Sequence, residues 1–527
     1  MMTIDDTVSE RFLDITNCPA KDRQGEAAVV SLNGCLLRSQ HAFPYFMLLA
    51  LEAGGPVRAF VLVLLCPLLW CMEHLFGCHK LAFELLIFVA MAGIRLSDVA
   101  GVSKAVLPKF FLEDMDNRVY RLLASCGRRY ILTSYPTVMV EYFLKEHVGV
   151  DGVWGTELQV SKRGYCTGFV VRKQQPSDTL MWGKRKAEEL RRVFDQRAAD
   201  VGVGNASLED LDYLLLCKEA YVVRRRQDEG DFVPREQYRK PLVFHDGRLV
   251  VLPTPAMALT YTLWLPFGLM LAVVRILITM CLPIELGVPC AALVGMRIRV
   301  KGAPPLPLPK GEKQGLMFVC THRTLLDATI MCVGLRRKVS ALTYSVSRFS
   351  EFISPIKCVP LTRDRQQDAR LIGNLLELGK DVFVCPEGTT CREPYLLRFS
   401  SLFAELTEHI ALVATRVENS MFWGTSARGY KALDPVFFLM NPSPLYAIMF
   451  LDRLRKDQTV AGGKTSVEVA KTVQMQLAEV LGFQCTEFTR KDKYTILAGN
   501  DGTVKDKRFT PTPSAAIVRG NDDDKSF

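Results

Sequence analysis

The stretch Gly315-Leu316-Met317-Phe318-Val319-Cys320-Thr321-His322-Arg323-Thr324-Leu325-Leu326-Asp327 decides how this chain is read. Its apolar run is short and unbroken, as in a strand covered on both faces. A histidine and an aspartate follow, five positions apart. On a regular helix that spacing turns two side chains well away from each other, so they can meet only if His322 lies in a turn and the helix begins near Asp327. Strand, turn and helix start are the expected order, the unit of an α/β layer. There the aspartate can hold one imidazole nitrogen and leave the other free to take a proton from a substrate hydroxyl. The competing reading is a chance pair of surface residues.

Two later stretches bear on that choice. Val359-Pro360-Leu361-Thr362-Arg363-Asp364-Arg365 and Val382-Phe383-Val384-Cys385-Pro386-Glu387-Gly388-Thr389-Thr390-Cys391-Arg392-Glu393-Pro394 both open on β-like apolar residues. Arg363 offers a planar fork of donors suited to phosphate, and backbone amides around Gly388 and Thr389 can add more. Arg365 and Arg392 are further phosphate candidates. A carboxylate at Glu387 would repel phosphate, so contact with a substrate hydroxyl or an arginine is expected there. Taken singly, Arg363 reads equally as a solvated residue and Gly388 as a turn glycine. Their order behind His322 favours a site.

A chain of 527 residues exceeds one ordinary core, so two domains are expected. Its 49% hydrophobic content is high for a soluble enzyme. Sixty-six Lys and Arg against 56 Asp and Glu leave a charge of +10, which suits an anionic membrane or a phosphorylated substrate. Nucleic acid is set aside because no compact basic stripe with interleaved aromatics occurs. The sixteen cysteines are scattered, several inside apolar runs such as those holding Cys66, Cys281 and Cys320, which fits a reduced, cytosol-facing protein. Cys71, His74, Cys78 and His79 lack a second suitably spaced pair, so no metal and no cofactor is expected.

The strongest apolar segment runs from Met257 to Leu282. Pro266, Gly268 and Arg275 within it admit either a span or a bent, half-inserted helix. Val57 to Trp70, broken by Pro67, and Leu81 to Ala92, interrupted by Glu84, join Phe43 to Leu51 in a second greasy region. Membrane association is the reading, with the endoplasmic reticulum and a cytosol-facing site expected and a mitochondrial membrane as the alternative. The acidic start, with Asp5, Asp6, Glu10 and Asp14, shows no removable targeting peptide. Asn500 to Phe527 reads as a disordered polar tail.

Upstream, Ala27-Ala28-Val29-Val30 reads as a buried strand that turns out through Ser31 to Leu37. A second strand is expected at Arg129 to Leu132, followed by Thr133 and a helix from Val138 to Glu146. Val203 to Asp210 is expected as a loop beyond a further strand.

That upstream pattern resembles the haloacid dehalogenase-like phosphatases, whose first signature reads Asp-x-Asp-Gly-Thr. Ser31 stands at the nucleophilic aspartate, Asn33 at the acid/base aspartate and Cys35 at the threonine. Thr133 keeps the hydroxyl of the second signature, while Asn205 after Gly204 replaces the magnesium-binding aspartate. These departures remove the chemistry. The downstream half resembles the glycerophosphate acyltransferase superfamily, with His322 and Asp327 as its first block, Val359 to Arg365 as its second and Pro386 to Thr389 as its third. Its fourth block usually centres on a proline, where Leu412 stands here. Both halves together resemble the land-plant membrane glycerol-3-phosphate acyltransferases.

The resemblance implies transfer of an acyl group from acyl-CoA, a co-substrate, to the sn-2 hydroxyl of glycerol 3-phosphate, giving lysophosphatidic acid without phosphatase activity, for cutin or suberin precursors. It also implies an organisation: a leader over 1–25; a degenerate phosphatase-like α/β domain over 26–245 with an apolar helical insertion over about 43–120; a membrane segment and α/β acyltransferase domain over 246–495; and a tail over 496–527. A phosphatase or phosphotransferase run by the upstream domain and a catalytically inactive membrane scaffold are the alternatives. The first is opposed by Ser31 and Asn33, the second by the intact His322, Asp327 and Glu387.

Overall fold

Ala27 to Val30 have no exposed surface because strand β2 (Arg23–Ser31) lies inside a sheet with both faces covered. This is why the run shows no polar alternation. The computed structural model describes residues 12–19, 22–171, 180–195, 197–224, 231–309, 314–343, 355–356, 358–362 and 364–503. Two α/β layers follow one another along the chain.

The first is a parallel six-stranded sheet of β1 (Leu13–Asp14), β2, β3 (Cys126–Pro136), β4 (Gly152–Thr156), β7 (Ala199–Asn205) and β8 (Cys217–Val223), ordered β1-β8-β7-β2-β3-β4. A hairpin of β5 (Leu158–Val160) and β6 (Cys166–Val170) stands apart. Between β2 and β3 the chain inserts helices α1 (Phe43–Glu52), α2 (Pro56–His74), α3 (His79–Met91) and α4 (Leu96–Ala105). Strand order reverses direction at β2, so Ser31 and Asn205, at the ends of β2 and β7, come together with Thr133 at a switch point, where open α/β sheets form their sites.

Several boundaries differ from expectation. Leu13–Asp14 and Arg23 to Gly25 belong to the sheet, not to a leader. The helix expected over Val138–Glu146 is α5 (Thr137–Phe143), followed by a wider turn at Leu144–Val148. Val203, Gly204 and Asn205 form part of β7 instead of a loop. A Cβ at Gly204 would lie 2.9 Å from both Asp210 Cβ and the Tyr213 hydroxyl, so packing selects glycine in this strand despite its weak strand preference. Helices α6 (Lys184–Val193) and α7 (Leu208–Leu214) flank β7.

The second sheet contains β9 (Arg297–Lys301), β10 (Met317–Cys320), β11 (Ser340–Thr343), β12 (Cys358–Pro360), β13 (Val382–Val384), β15 (Ile410–Glu418) and β16 (Leu445–Arg453), ordered β12-β11-β13-β10-β15-β16-β9. Only β15 and β16 pair antiparallel. Short strands β14 (Tyr395–Leu396) and β17 (Gln484–Cys485) pair beside it. Strand β10 is central and fully buried.

Ahead of this sheet runs α8 (Pro255–Cys281), capped by Thr254, whose side chain accepts from Met257 N, with Pro255 in its first turn. Then comes α9 (Ile284–Leu293). One stripe of α8, including Ala258, Tyr261, Ala272 and Arg275, is buried, while Leu263, Phe267 and Met270 on other faces are exposed. Both α2 and α8 are long and apolar enough to cross a membrane by length and composition. After β10 come α10 (Asp327–Leu335), α11 (Arg365–Glu377), α12 (Ser466–Leu481) and α13 (Arg490–Ala498). Of the tail expected over 496–527, residues 496–498 are therefore helical, and residues 504–527 lie outside the described residues.

Candidate active site

Strand β10 ends at Cys320, and α10 begins at Asp327. The turn between them brings His322 Nδ1 to 2.9 Å from Asp327 Oδ2. A carboxylate can only accept, so Nδ1 carries the proton and Nε2 presents a lone pair. The His322 side chain keeps 20% of its surface, while that of Asp327 keeps 2%. Asp327 Oδ2 also accepts from Arg323 N at 2.7 Å, and Oδ1 accepts from Thr324 N at 2.7 Å and Thr324 Oγ1 at 2.8 Å. The hydroxyl of Tyr446, on β16, donates to Oδ1 as well.

The Pro386–Thr389 turn braces this unit from the neighbouring strand. Glu387 was expected to touch a hydroxyl or an arginine; instead its Oε1 accepts from His322 N at 2.8 Å and its Oε2 from Leu397 N at 3.0 Å. It is 3% exposed, so both oxygens are committed to holding backbone. Burial pushes its carboxyl up, and nearby Arg323 with the two amides opposes that. Gly388 has φ +66° and its N–H closes the turn onto Cys385 O, so this amide serves the turn and not an anion. Thr389 is buried with its hydroxyl 3.4 Å from Lys493 Nζ.

The arginines divide. Arg363 lies outside the described residues. Arg365 is half-exposed at the start of α11, its Nη2 paired with Glu405 Oε1 at 2.5 Å and 3.5 Å from Ser401 Oγ, and it lines a cavity of about 770 Å³ together with Glu387, Gly388, Arg398 and Lys471. Arg392 is used differently from expectation. Its buried guanidinium donates to Gly247 O at 2.9 Å and Thr425 Oγ1 at 3.0 Å, and its Nη1 faces His245 Nδ1 at 3.4 Å. These contacts join the acyltransferase loop to the segment linking the two sheets and leave Arg392 little capacity for phosphate. Arg323, which sequence reasoning passed over, ties Cys391 O at 2.6 Å and Glu393 O at 3.0 Å. Cys385, His322 and Asp327 have ligand atoms within 4.8 Å of one another, the set among the described residues that could hold a metal.

At the upstream switch point the side chains satisfy one another. Ser31 Oγ donates to Asp210 Oδ1 at 3.1 Å, Thr133 Oγ1 to Asn33 Oδ1 at 3.1 Å and Asn33 Nδ2 to Ser134 Oγ at 3.1 Å. Asn205 Nδ2 donates to Asn33 O at 3.3 Å. A buried lysine also missed in the sequence, Lys186, places Nζ 2.6 Å from Asp210 Oδ1 and 2.8 Å from Glu209 Oε1. Burial would lower its ammonium, but the two carboxylates outweigh this and hold it above the ordinary lysine value.

Comparison with known proteins matches this division. Residues 27–223 fit the family described as the glycerol-3-phosphate acyltransferase RAM2-like, HAD-like domain, and residues 297–415 fit the acyltransferase family. The chain is 47% identical over 479 residues to glycerol-3-phosphate acyltransferase RAM2 of Petunia hybrida, covering 90% of this chain and 98% of that one. It is 44% identical to glycerol-3-phosphate acyltransferase 1 of Arabidopsis thaliana, covering 92% of this chain and 83% of that one. Among solved structures, the 1-acyl-sn-glycerophosphate acyltransferase PlsC of Thermotoga maritima aligns at 13% identity and a TM-score of 0.29, covering 42% of this chain and 94% of that one. With a family match in each α/β layer and such identity along nearly its whole length, the chain belongs to the glycerol-3-phosphate acyltransferases of plants.

Proposed function

We propose that this chain moves an acyl group from acyl-CoA to the sn-2 hydroxyl of glycerol 3-phosphate and releases lysophosphatidic acid with its phosphate intact, in the synthesis of cutin or suberin precursors. The observation that carries the reaction is the His322–Asp327 contact at 2.9 Å, with Nε2 left to face a substrate. Nε2 takes the glycerol hydroxyl proton as the oxygen attacks the thioester carbonyl. The tetrahedral intermediate then expels the thiolate of CoA, and the imidazolium returns its proton to sulfur. No acyl-enzyme forms. Arg365 lines the cavity that also holds Cys385, Glu387 and Gly388, and it is offered to a substrate phosphate; Arg363 is offered by its place in the sequence alone.

Retention of phosphate is supported by Ser31, Asn33 and Asn205, which put a hydroxyl and two amides where the resemblance has carboxylates, and by Lys186, which engages the nearby carboxylates of Glu209 and Asp210. The outward apolar faces of α2 and α8 support attachment to a bilayer, with the endoplasmic reticulum and a cytosolic site as the favoured setting. Membranes containing the protein are expected to transfer labelled acyl groups from CoA to glycerol 3-phosphate without liberating inorganic phosphate. Transfer should be lost in His322→Ala. Normal turnover in that variant would remove His322 as the base, and phosphate appearing in step with product would remove the reading of the upstream domain. Positional analysis of the product tests the sn-2 assignment.

A further inference from the structure

We infer that Tyr446 is a positioning residue for acyl transfer, fixing the His322–Asp327 pair against the sheet through the hydroxyl it donates to Asp327 Oδ1. This rests on the reading of His322 as the base. Among the described residues, every other donor to Asp327 comes from residues 322–324, inside the same turn. Those donors move with the carboxylate if the turn shifts. Tyr446 alone ties it to the sheet, from a strand beyond the residues 297–415 matched to the acyltransferase family.

The tyrosine is held to this task. It has no exposed surface, sits in register opposite Val417 on β15 and Ile298 on β9, and packs edge-on against Phe438 at 6.4 Å. Burial and the adjoining Asp327 keep its phenol protonated far beyond the ordinary range, so the oxygen can only be the donor. That bond fixes the plane of the Asp327 carboxylate, and with it the direction in which Oδ2 receives His322 Nδ1 and the line along which Nε2 faces a substrate. Hydrogen bonds to a buried charge are strong enough for the effect to be read in a rate.

Tyr446→Phe removes the hydroxyl and keeps the ring. The expected result is a fall in kcat of about tenfold with KM values little changed, as for loss of one charge-assisted hydrogen bond. Phe438→Leu, which loosens the same packing without touching Asp327, should lower folded yield but keep kcat per folded enzyme. An unchanged kcat per folded enzyme in Tyr446→Phe, or a fall matched by Phe438→Leu, would overturn the inference. Loss of turnover in His322→Ala with full kcat in Tyr446→Phe would reject this role alone and leave His322 as the base.

Discussion

His245 Nε2 lies 2.9 Å from Glu393 Oε1, joining the segment between the two sheets to the loop that carries Glu387. Both side chains are buried. The carboxylate accepts, so Nε2 bears hydrogen, and Arg392 Nη1 at 3.4 Å can only donate, so Nδ1 is bare. His245 is therefore neutral, in keeping with burial lowering it below its ordinary value of 6.5. Burial would raise Glu393, but His245 and Arg235 outweigh it and hold the carboxyl down to about 2.

Both depressions act in the same direction on stability. Below 6.5 the unfolded chain protonates the histidine before the folded one does, and below 4.5 the same holds for the glutamate until about 2. Stability should therefore be complete above pH 6.5 and decline on acidification, first through His245. His245→Gln can still donate to Glu393 and accept from Arg392 but does not titrate. Melting temperatures at pH 7.5 and 5.5 should fall less in this variant; equal falls would dismiss the histidine as the source of the upper part of the decline.

Asp327→Asn tests orientation at the pair. The amide would bring an N–H to one of two oxygens that now receive five donors, and would release Nδ1 from its proton-bearing form. A fall in kcat of about 100-fold or more is expected, with a smaller effect on KM, since a misheld tautomer damages the transition state more than binding. A loss confined to KM would argue against His322 and Asp327 working together.

The strand–turn–helix around His322 was legible because its signals are local: an apolar run, a spacing incompatible with a helix, and an aspartate at the helix start. Ser31, Asn33 and Asn205 were legible for the same reason. The uses of Glu387 and Arg392 were not, since Leu397 N and Thr425 lie ten and thirty-three residues further along and only the folded loops bring them near. Lys186 belongs to a run of charged residues that reads as a solvated face, and its partners Glu209 and Asp210 lie 23 and 24 residues further along, on the neighbouring helix α7. Tyr446 has no local signal at all: it is one aromatic residue in an alternating strand.

Glu387→Gln should show the bracing role. Only one of the side-chain positions facing His322 N and Leu397 N can remain an acceptor, and the other becomes a donor facing a donor. The expected outcome is a drop in kcat of about tenfold and a lower melting temperature together, from roughly 1–3 kcal/mol lost at a buried unsatisfied amide. Reduced affinity for glycerol 3-phosphate with unchanged stability would instead restore direct substrate contact.

Lys186→Met leaves Glu209 and Asp210 buried without their cation, whereas Ser31→Ala removes one weak link in the same network. Breaking a buried ion pair on one side costs about 3–5 kcal/mol. The lysine variant should lose most of its folded yield, and Ser31→Ala should keep both yield and acyl transfer. Equal tolerance of the two changes would show that the buried network around Ser31 and Lys186 does not support its domain.

Arg275 shows how α8 is held. Although it interrupts the longer of the two helices apolar enough to cross a membrane, it is 1% exposed, and its guanidinium donates to Leu439 O and Asn441 O at 2.6 Å, Pro442 O at 2.8 Å and Val294 O at 3.1 Å. Trp264 Nε1 donates to Met440 O at 2.8 Å eleven residues earlier, so one side of the helix is fastened along the acyltransferase body. A lysine offers a single point charge and cannot span four carbonyls set around a plane. Arg275→Lys should therefore destabilise nearly as much as Arg275→Leu, by roughly 1–3 kcal/mol for each carbonyl left without a donor or water. Thermal inactivation of acyl transfer in membranes would measure this. Full rescue by lysine would mean that charge alone matters, and that the fork of donors seen against residues 439–442 is not what fixes the helix.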